Sequence, residues 1–282
     1  MSVTAASGQL ESASAHAGRP AGFGHVMLAE WTKIRSVRST VWSLIIFIIA
    51  TLGLTALFTW LTVHQLQNGH GPRRGADLLA DPVSFILGTG LGLGQLAICV
   101  LGALTMTTEY STGVIRASLL AVPKRIPVLA AKCVVFAALI FVIGEIVSFC
   151  SFFIGMALVR PLATVSLSQP GVTRAIIGAG LYLTVLGLFA LAIGSLVRHS
   201  AGAISIVIGL VLVVPPLLGL LDSYSWGAHI HAWFPTVAGG YITTDHQQAG
   251  QLLTPWQGFA VFCGWTVLLL AAGSYLLKRR DA

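Results

Sequence analysis

The chain has 282 residues, of which 56% are hydrophobic and only 9% are charged. A soluble domain carries about 25% charged residues, so this composition excludes a water-soluble globular protein and indicates a chain that lies mostly in a lipid bilayer. The formal net charge of +7 is compatible with two explanations, nucleic-acid binding and the orientation of a membrane protein in the bilayer.

Residues 1–21 are rich in Ser, Ala and Gly and contain almost no large apolar side chain. Such a segment cannot bury enough apolar surface to offset the entropy of ordering, so we expect a disordered cytoplasmic tail. The segment also lacks the positive start and apolar core of a signal peptide, and we expect none here.

Residues 22–40 predict an amphipathic helix in the membrane interface, with Trp31 at headgroup depth. At 100° per residue, its apolar side chains fall within an arc of about 140°. These side chains are Phe23, Val26, Met27, Trp31, Ile34 and Val37. Glu30 and Arg38 interrupt the arc. Either they snorkel or pair with neighbours such as Lys33, or this face meets protein as well as lipid.

Six apolar stretches of about 20 residues or more follow, each long enough for a helix to cross a hydrocarbon core of about 30 Å. They cover residues 41–63, 83–106, 133–159, 175–197, 201–221 and 258–277. The stretches are continuous rather than alternating, which excludes a β-barrel. We therefore predict an all-α polytopic membrane protein in which residues 41–282 form one six-helix transmembrane domain.

The basic residues are distributed unevenly between the loops on the two sides of these spans. With the N-terminus in the cytoplasm, 12 of the 16 Lys and Arg residues fall inside and only Arg73, Arg74, Arg160 and Arg174 fall outside. This bias fits the positive-inside rule, and an even number of spans returns the C-terminus to the cytoplasm. The charge is thus an orientation signal with attraction to anionic lipid, and we expect no nucleic-acid partner.

The second span is rich in glycine. Gly88, Gly90, Gly92 and Gly94 give two overlapping Gly-x-x-x-Gly pairs, a spacing that favours close helix packing in membranes. After this span, residues 107–132 carry a glycine break at Gly113, a short helical pattern and the basic Lys124-Arg125 pair between two prolines. This segment is either an element that projects on the cytoplasmic side or an ordinary loop.

Glu145 is the only acidic or basic residue within the six apolar stretches. A carboxylate near the centre of a span costs at least about 2.5–3.5 kcal/mol on insertion scales, so the residue needs a cavity, a partner or a proton. It belongs either to a substrate pathway or proton relay, or to a structural hydrogen bond with a group such as Ser148, Ser151 or Thr184.

Residues 222–257 form a long outer connection whose aromatic side chains suit an interface. We expect short helices or re-entrant segments there, the alternative being a structureless excursion. His229, His231 and His246 lie in this connection, but a metal site needs further oriented ligands, and we predict no bound metal. The four cysteines lie within or at the edge of spans, where we interpret them as small buried apolar residues. They are Cys99, Cys133, Cys150 and Cys263.

The sequence contains no P-loop motif, so we expect no ATP or other cofactor on this chain. His-Glu-x-x-His and Gly-x-Ser-x-Gly are also missing, and we predict that the chain is not an enzyme. Ion-coupled transporters usually place several ionisable groups at the midplane, whereas this chain has one. Energy for any transport is therefore expected from another subunit.

Several segments resemble type-2 ATP-binding-cassette (ABC) transporter permeases of high-GC Gram-positive bacteria, and their order along residues 25–282 carries the resemblance. They are EWTKIRSVRST at 30–40, TEYSTGVIRAS at 108–118 leading into VPKR at 122–125, RHSAG at 198–202, FPTVAG at 234–239 and KRRDA at 278–282.

The resemblance implies an exporter subunit in a bacterial plasma membrane, paired with a second permease copy into a homo- or heterodimer. Such a dimer docks two separate ATP-binding subunits, which would carry ATP and Mg²⁺. It further implies a coupling helix at about residues 113–122, with Glu109 and Tyr110 at the end of the second span. Gly113 would then permit the turn, Arg116 would face the ATPase or lipid heads, and Glu30 would contact the ATPase.

Two other functions stay open on the sequence. One is an ion-coupled secondary transporter that works alone, and the other is a membrane scaffold or sensor that transports nothing.

Overall fold

The computed structural model describes residues 22–69, 73–112, 125–247 and 250–280, and within these ranges the fold is all-helical, with no strand. The α-helices in chain order are α1 (Phe23–Ser36), α2 (Arg38–Gln67), α3 (Arg73–Ala80), α4 (Pro82–Ser111), α5 (Arg125–Val159), α6 (Val172–Val197), α7 (Ser200–Ile208), α8 (Val214–Gly219), α9 (Ser225–Ala232), α10 (Pro235–Gly240) and α11 (Pro255–Arg280).

Six helical segments are long and apolar enough to cross a membrane, which confirms the prediction of a multi-pass membrane protein. They are Arg38–Gln67, Pro82–Ser111, Ile126–Val159, Val172–Val197, Ser200–Gly219 and Pro255–Leu276. Each lies on one of the six apolar stretches. Five of these segments extend at least three residues beyond the predicted stretch at one end or at both, because the helical backbone continues past the apolar core into polar flanks. The fifth segment ends earlier than predicted, at Gly219, and helix α11, which carries the sixth, continues to Arg280.

The fifth span is not one regular helix. A π-helical turn, Gly209–Val213, separates α7 from α8, and Pro215 and Pro216 follow it directly. Proline cannot donate its share of the helical hydrogen-bond ladder, so the irregular turn lies where that ladder is broken.

Helix α6 occupies the centre of the bundle. In its most apolar stretch 78% of the residues are buried, against 17% for α2 and for the last span, which therefore lie at the periphery. Helices α4 and α5 pack along α6. Small residues allow this approach: a Cβ on Gly102 of α4 would overlap the carbonyl oxygen of Gly187 on α6, and Gly194 of α6 lies against Ala103.

The glycines of α4 divide into two faces. Gly90 and Gly94 lie against the side chains of Thr55 and Thr51 on α2, where an added Cβ would overlap the threonine hydroxyls. Gly88 and Gly92 have no atom within 4 Å of such a Cβ. The close contact between α2 and α4 therefore uses one of the two Gly-x-x-x-Gly pairs.

Contacts between segments distant in sequence define the two ends of the bundle. At the end that carries α1, which we call the α1 end, Ser200 donates a hydrogen bond to Thr107 at 3.0 Å. The guanidinium of Arg198 lies over the ring of Tyr110 there, 4.8 Å from its centroid. At the opposite end, Arg174 donates hydrogen bonds to the main-chain oxygens of Thr244 and Asp245.

The long connection at the opposite end contains α9, α10 and a 3₁₀ turn, Tyr241–Thr243. The prediction of short helices in this connection is thus confirmed. Helix α10 is partly buried and packs on α11 through glycines: a Cβ on Gly239 would overlap Phe262, and one on Gly258 would overlap the carbonyl oxygen of Ala238.

Candidate functional site

Four charged side chains meet at the α1 end of the bundle, and we call them the charge cluster: Glu30 and Lys33 of α1, Glu109 of α4 and Lys132 of α5. They come from three helices that are far apart in sequence. Two carboxylates and two ammonium groups make the cluster neutral as a whole, which lowers the cost of holding charge next to the apolar bundle.

Lys132 is the centre of the charge cluster. Its Nζ donates to Glu30 Oε2 at 2.6 Å and to Glu109 Oε1 at 2.8 Å, and its side chain is only 4% exposed. Glu30 is buried as well, at 1% of its accessible surface. Charged hydrogen bonds of this length are the stronger class, and here they link α1, α4 and α5 through one ammonium group.

Lys33 closes the charge cluster from the outside. Its Nζ donates to Glu30 Oε1 at 2.6 Å and lies 3.4 Å from Glu109 Oε1. Its side chain is 33% exposed, so this ammonium is partly hydrated. Lys132 and Lys33 thus each hold one oxygen of Glu30. Lys132 is buried, and Lys33 faces outward.

The sequence of α1 explains why Glu30 lies in the cluster. Val26, Glu30 and Ile34 are four residues apart and form the buried stripe of α1, which packs on α5. The helix ends at Ser36, Val37 is extended with φ −83° and ψ 114°, and α2 begins at Arg38. This elbow turns the chain from α1 into the first span, and α1 packs against α5, with its Lys33 reaching Glu109 of α4.

Both charged residues of α1 have shifted pKa values. Burial alone would raise the pKa of Glu30, but the charges and hydrogen bonds of Lys132 and Lys33 outweigh it, and the pKa lies below its ordinary value of 4.5. Burial alone would lower the pKa of Lys33, but hydrogen bonds and charge from Glu30 and Glu109 outweigh it, and that pKa lies above 10.5. Glu30 and Lys33 therefore stay ionised at neutral pH.

A cavity of about 450 Å³ opens beside the charge cluster, between the α1–α2 elbow and α4. Its walls combine apolar side chains with hydroxyl groups, and Lys33, Glu109 and Lys132 stand at its polar side. The hydroxyl-bearing residues of its lining are Ser36, Ser39, Thr40, Thr105, Thr108 and Thr112. The elbow and the end of α4 therefore have room to move relative to each other.

The structure places the residues singled out from the sequence as follows. Glu109 belongs to the charge cluster, and Tyr110 lies beneath Arg198. Gly113 and Arg116 lie outside the described residues. Glu30 faces Lys132 and Lys33 instead of an outer surface, and this burial favours a positioning role over direct contact with a partner.

Glu145 lies against Gly180 of α6. Among the described residues neither carboxyl oxygen has a hydrogen-bond partner, and the hydroxyls of Ser148 and Ser151 are likewise unpaired. Thr184 donates to the main-chain oxygen of Gly180. Among the described residues, the alternative of a structural hydrogen bond from Glu145 to Ser148, Ser151 or Thr184 is therefore not observed.

The three histidines of the long connection do not converge. His229 bonds the carbonyl oxygen of Ser225 in its own helix, His231 bonds the carboxylate of Asp222, and His246 bonds that of Asp245. The four cysteines are free thiols, two of them half-buried, one buried and one exposed; the exposed thiol is that of Cys150, which corrects the expectation that all four are buried.

Sequence reasoning missed Lys132 as the partner of Glu30 and Glu109. The residue stands at the edge of an apolar run, where a lysine is typical of a membrane boundary. One signal was available: Glu30 and Glu109 are both acids at the α1 end, where the other charged residues that the structure describes are basic, and each needed a cation.

No protein-family model matches this sequence, and no curated protein sequence matches it either. Function is therefore argued from the geometry and from the resemblance of the sequence segments.

Proposed function

We propose that this chain is the membrane-spanning permease subunit of an ATP-driven exporter in a bacterial plasma membrane. It forms the translocation path with a second permease copy and couples to separate ATP-binding-cassette subunits, which bind ATP and Mg²⁺ and hydrolyse the nucleotide. The six candidate spans support a polytopic membrane carrier. The segments that resemble type-2 ABC permeases support the proposed family.

The observation that carries the proposal is the position of the charge cluster. Glu109 lies at the end of α4 and Lys132 near the start of α5, so these two residues flank the connection between the second and third spans. Residues 113–122, the proposed coupling helix, lie in this connection. Glu30 ties α1 to Lys132, which also holds Glu109, so a push on the connection reaches α1 and the first span together.

In the proposed mechanism, ATP draws the two ATPase subunits together and displaces the coupling segments. The buried hydrogen bonds of Lys132 transmit this displacement, because they join α1, α4 and α5 more rigidly than exposed pairs would. The α1–α2 elbow and the adjacent cavity absorb the movement. Alternating access then follows as a shift between two packings of the bundle, because the ATP-bound and ATP-free forms of the ATPase subunits favour different packings.

The surface of α1 supports its place in the membrane interface. Phe23, Leu28 and Trp31 are exposed large apolar side chains on a helix whose other face is packed on α5. An apolar groove of about 250 Å³ between α1 and α5 continues this surface. Lipid contact on one face and bundle contact on the other hold α1 parallel to the membrane plane. The termini are then cytoplasmic, as the basic loops require.

The test is co-purification with a P-loop ATPase, followed by reconstitution of the complex in vesicles. Glu109→Gln is expected to insert normally and to retain ATP hydrolysis, while transport per ATP hydrolysed falls. Ser111→Ala is the matched control, since Ser111 lies one half-turn further along the same helix and bonds only its own backbone. Gly113→Ala tests the coupling segment directly.

Three outcomes would contradict the proposal. Full transport by both Glu109→Gln and Gly113→Ala would remove the coupling role. Transport that persists after ATP depletion and follows an ion gradient would indicate a secondary transporter. The absence of flux and of stimulated hydrolysis across a panel of lipids, peptides and drugs, with the ATPase bound, would indicate a scaffold or sensor.

A further inference from the structure

Three side chains with metal-binding atoms converge at the end of the bundle opposite α1. Asp81 precedes α4, and Asp245 and His246 follow the 3₁₀ turn in the long connection. One potential ligand atom from each lies within 4.8 Å of the other two. His229 and His231 take no part in this group. The convergence was not visible in the sequence, because the segments that bring it together are far apart along the chain.

Asp81 presents a second, independent feature that calls for a ligand. Its Oδ1 caps α4 by accepting a hydrogen bond from the Ser84 amide at 2.9 Å. Its Oδ2 is fully buried, and none of the described residues donates a hydrogen bond to it. The nearest basic nitrogen, His246 Nδ1, stands 3.8 Å away. A buried carboxylate oxygen without a donor is costly unless a cation neutralises it.

The surroundings have room for an ion but supply no other cation to Asp81 Oδ2 among the described residues. A cavity of about 390 Å³ is lined by Asp81, Ser84 and His246, and the Ser84 hydroxyl is also buried and unpaired. Arg174 approaches this region, but its terminal nitrogen donates to the main-chain oxygens of Thr244 and Asp245 at 2.9 and 2.8 Å. The arginine thus fixes the loop through main-chain oxygens and not through a carboxylate.

We propose that Asp81, Asp245 and His246 form a binding site for a divalent transition-metal ion of the Zn²⁺ class. Two carboxylate oxygens and one imidazole nitrogen are ligands that Zn²⁺ takes, at about 2.0–2.2 Å each, and water in the cavity completes the coordination. The nitrogen ligand disfavours Ca²⁺ and Mg²⁺, which prefer oxygen alone. Small shifts, in which Asp81 Oδ2 moves towards the other two atoms and His246 Nδ1 moves apart from Asp245 Oδ1, bring the three atoms to bonding distance, and bonds to the ion replace the His246–Asp245 hydrogen bond.

A bound ion would fasten the loop after the 3₁₀ turn to the start of the second span. Arg174 already holds the same loop to α6. The ion would therefore complete a link among α4, α6 and the outer connection. This site is independent of any ATPase, so it stands or falls separately from the proposed function.

The experiment is a Zn²⁺ titration of the purified full chain by isothermal titration calorimetry, after removal of metal with a chelator and with an affinity tag that contains no histidine. The wild type is expected to bind about one Zn²⁺ ion per chain at this site, and Zn²⁺ is expected to raise its Tm. Asp81→Asn, Asp245→Asn and His246→Ala should each weaken Zn²⁺ binding about 10-fold or more. Mutation of a residue that only hydrogen-bonds to a metal ligand already lowers metal affinity by about that factor.

The variants are chosen to leave the fold intact. Asparagine caps a helix about as well as aspartate, and Asp245→Asn keeps the main-chain oxygen that Arg174 holds. His231→Gln is the matched control, because His231 and Asp222 form another exposed His–Asp pair at this end without a third ligand in that group. Its affinity and its Zn²⁺-dependent Tm rise should equal those of the wild type.

Three results would overturn the site. One is the absence of stoichiometric binding by the wild type. Another is equal affinity in the three site variants and the wild type, which would mean that Zn²⁺ binds other surface histidines. The third is an equal loss in His231→Gln. A Tm rise that survives Asp81→Asn would contradict the role of the buried carboxylate, even if some binding remained.

Discussion

Replacement of Lys132 by methionine tests the central role that the structure gives to this residue. Methionine is similar in length and a good helix former, so the change removes the charge and little else. The loss of a buried charge partner costs about 3–5 kcal/mol, because the other charge remains without compensation. Lys33 still holds one oxygen of Glu30, and Glu109 is 13% exposed, so we expect the lower end, about 3 kcal/mol.

Two further variants separate charge balance from packing. Lys33→Met removes a lysine from the same cluster, but its side chain is 33% exposed, and an exposed pair contributes about 1 kcal/mol or less. The double variant Glu30→Gln, Lys132→Met removes one acid and one base, so no buried charge is left alone. We expect it to be more stable than Lys132→Met, with a coupling of about 1–3 kcal/mol between the two sites.

The measurement is the free energy of unfolding in mixed detergent micelles, titrated with a denaturing detergent and followed by tryptophan fluorescence. The expected order of stability is wild type, Lys33→Met, the double variant and Lys132→Met. Equal losses for the two single lysine variants would refute the argument from burial. Strict additivity in the double variant would refute the direct pairing of Glu30 with Lys132.

Two other predictions follow from the packing and the charge. Gly90→Ala should destabilise the protein by about 1–3 kcal/mol, because the added Cβ would stand 2.6 Å from the Thr51 carbonyl oxygen, while Gly88→Ala, which meets nothing within 4 Å, should be near neutral in the same assay. Because the pKa of Glu30 is lowered, its contribution to stability is present above pH 4.5 and is lost as pH falls through its folded-state pKa; Lys132→Met should move the acid unfolding midpoint to higher pH. Lys33 acts in the opposite sense, since its contribution is present below pH 10.5 and is lost at higher pH. A Gly88→Ala loss equal to that of Gly90→Ala, or an unchanged acid midpoint in Lys132→Met, would contradict these two arguments.

The spans could be predicted from the sequence because a membrane helix satisfies its own backbone, so hydropathy and length decide its presence. The short helices of the connection between residues 222 and 257 followed from its length and its aromatic content. The ends of the helices were harder to predict, since polar residues such as Ser111 and Arg38 continue the helical backbone past the apolar core. The sequence also could not show which of the two Gly-x-x-x-Gly pairs of α4 packs against α2, because the two pairs have the same spacing.

The charge cluster and the group formed by Asp81, Asp245 and His246 could not be predicted, because each depends on which helix ends and loops lie together in space. Lys132 stands beside an apolar run, and its role appears only when α1 folds back across α5. Asp81 is recognisable from sequence as a helix cap, and its cap function is met. Its second oxygen lacks a hydrogen-bond donor because of where the loop that carries His246 lies. The local sequence pattern does not reveal that position.

The charge cluster is a weak choice if stability alone is considered. Buried ion groups can often be replaced by apolar residues without loss, since the desolvation of the charges offsets most of their attraction. Apolar packing is also non-directional, whereas the Lys132 ammonium holds two carboxylates at hydrogen-bonding distance and so fixes the position of α1 relative to α4 and α5. Under the proposed function, that fixed relation is needed where force enters the bundle. An apolar replacement of Glu30 and Lys132 that keeps stability yet lowers transport per ATP would therefore locate the function of the cluster in geometry.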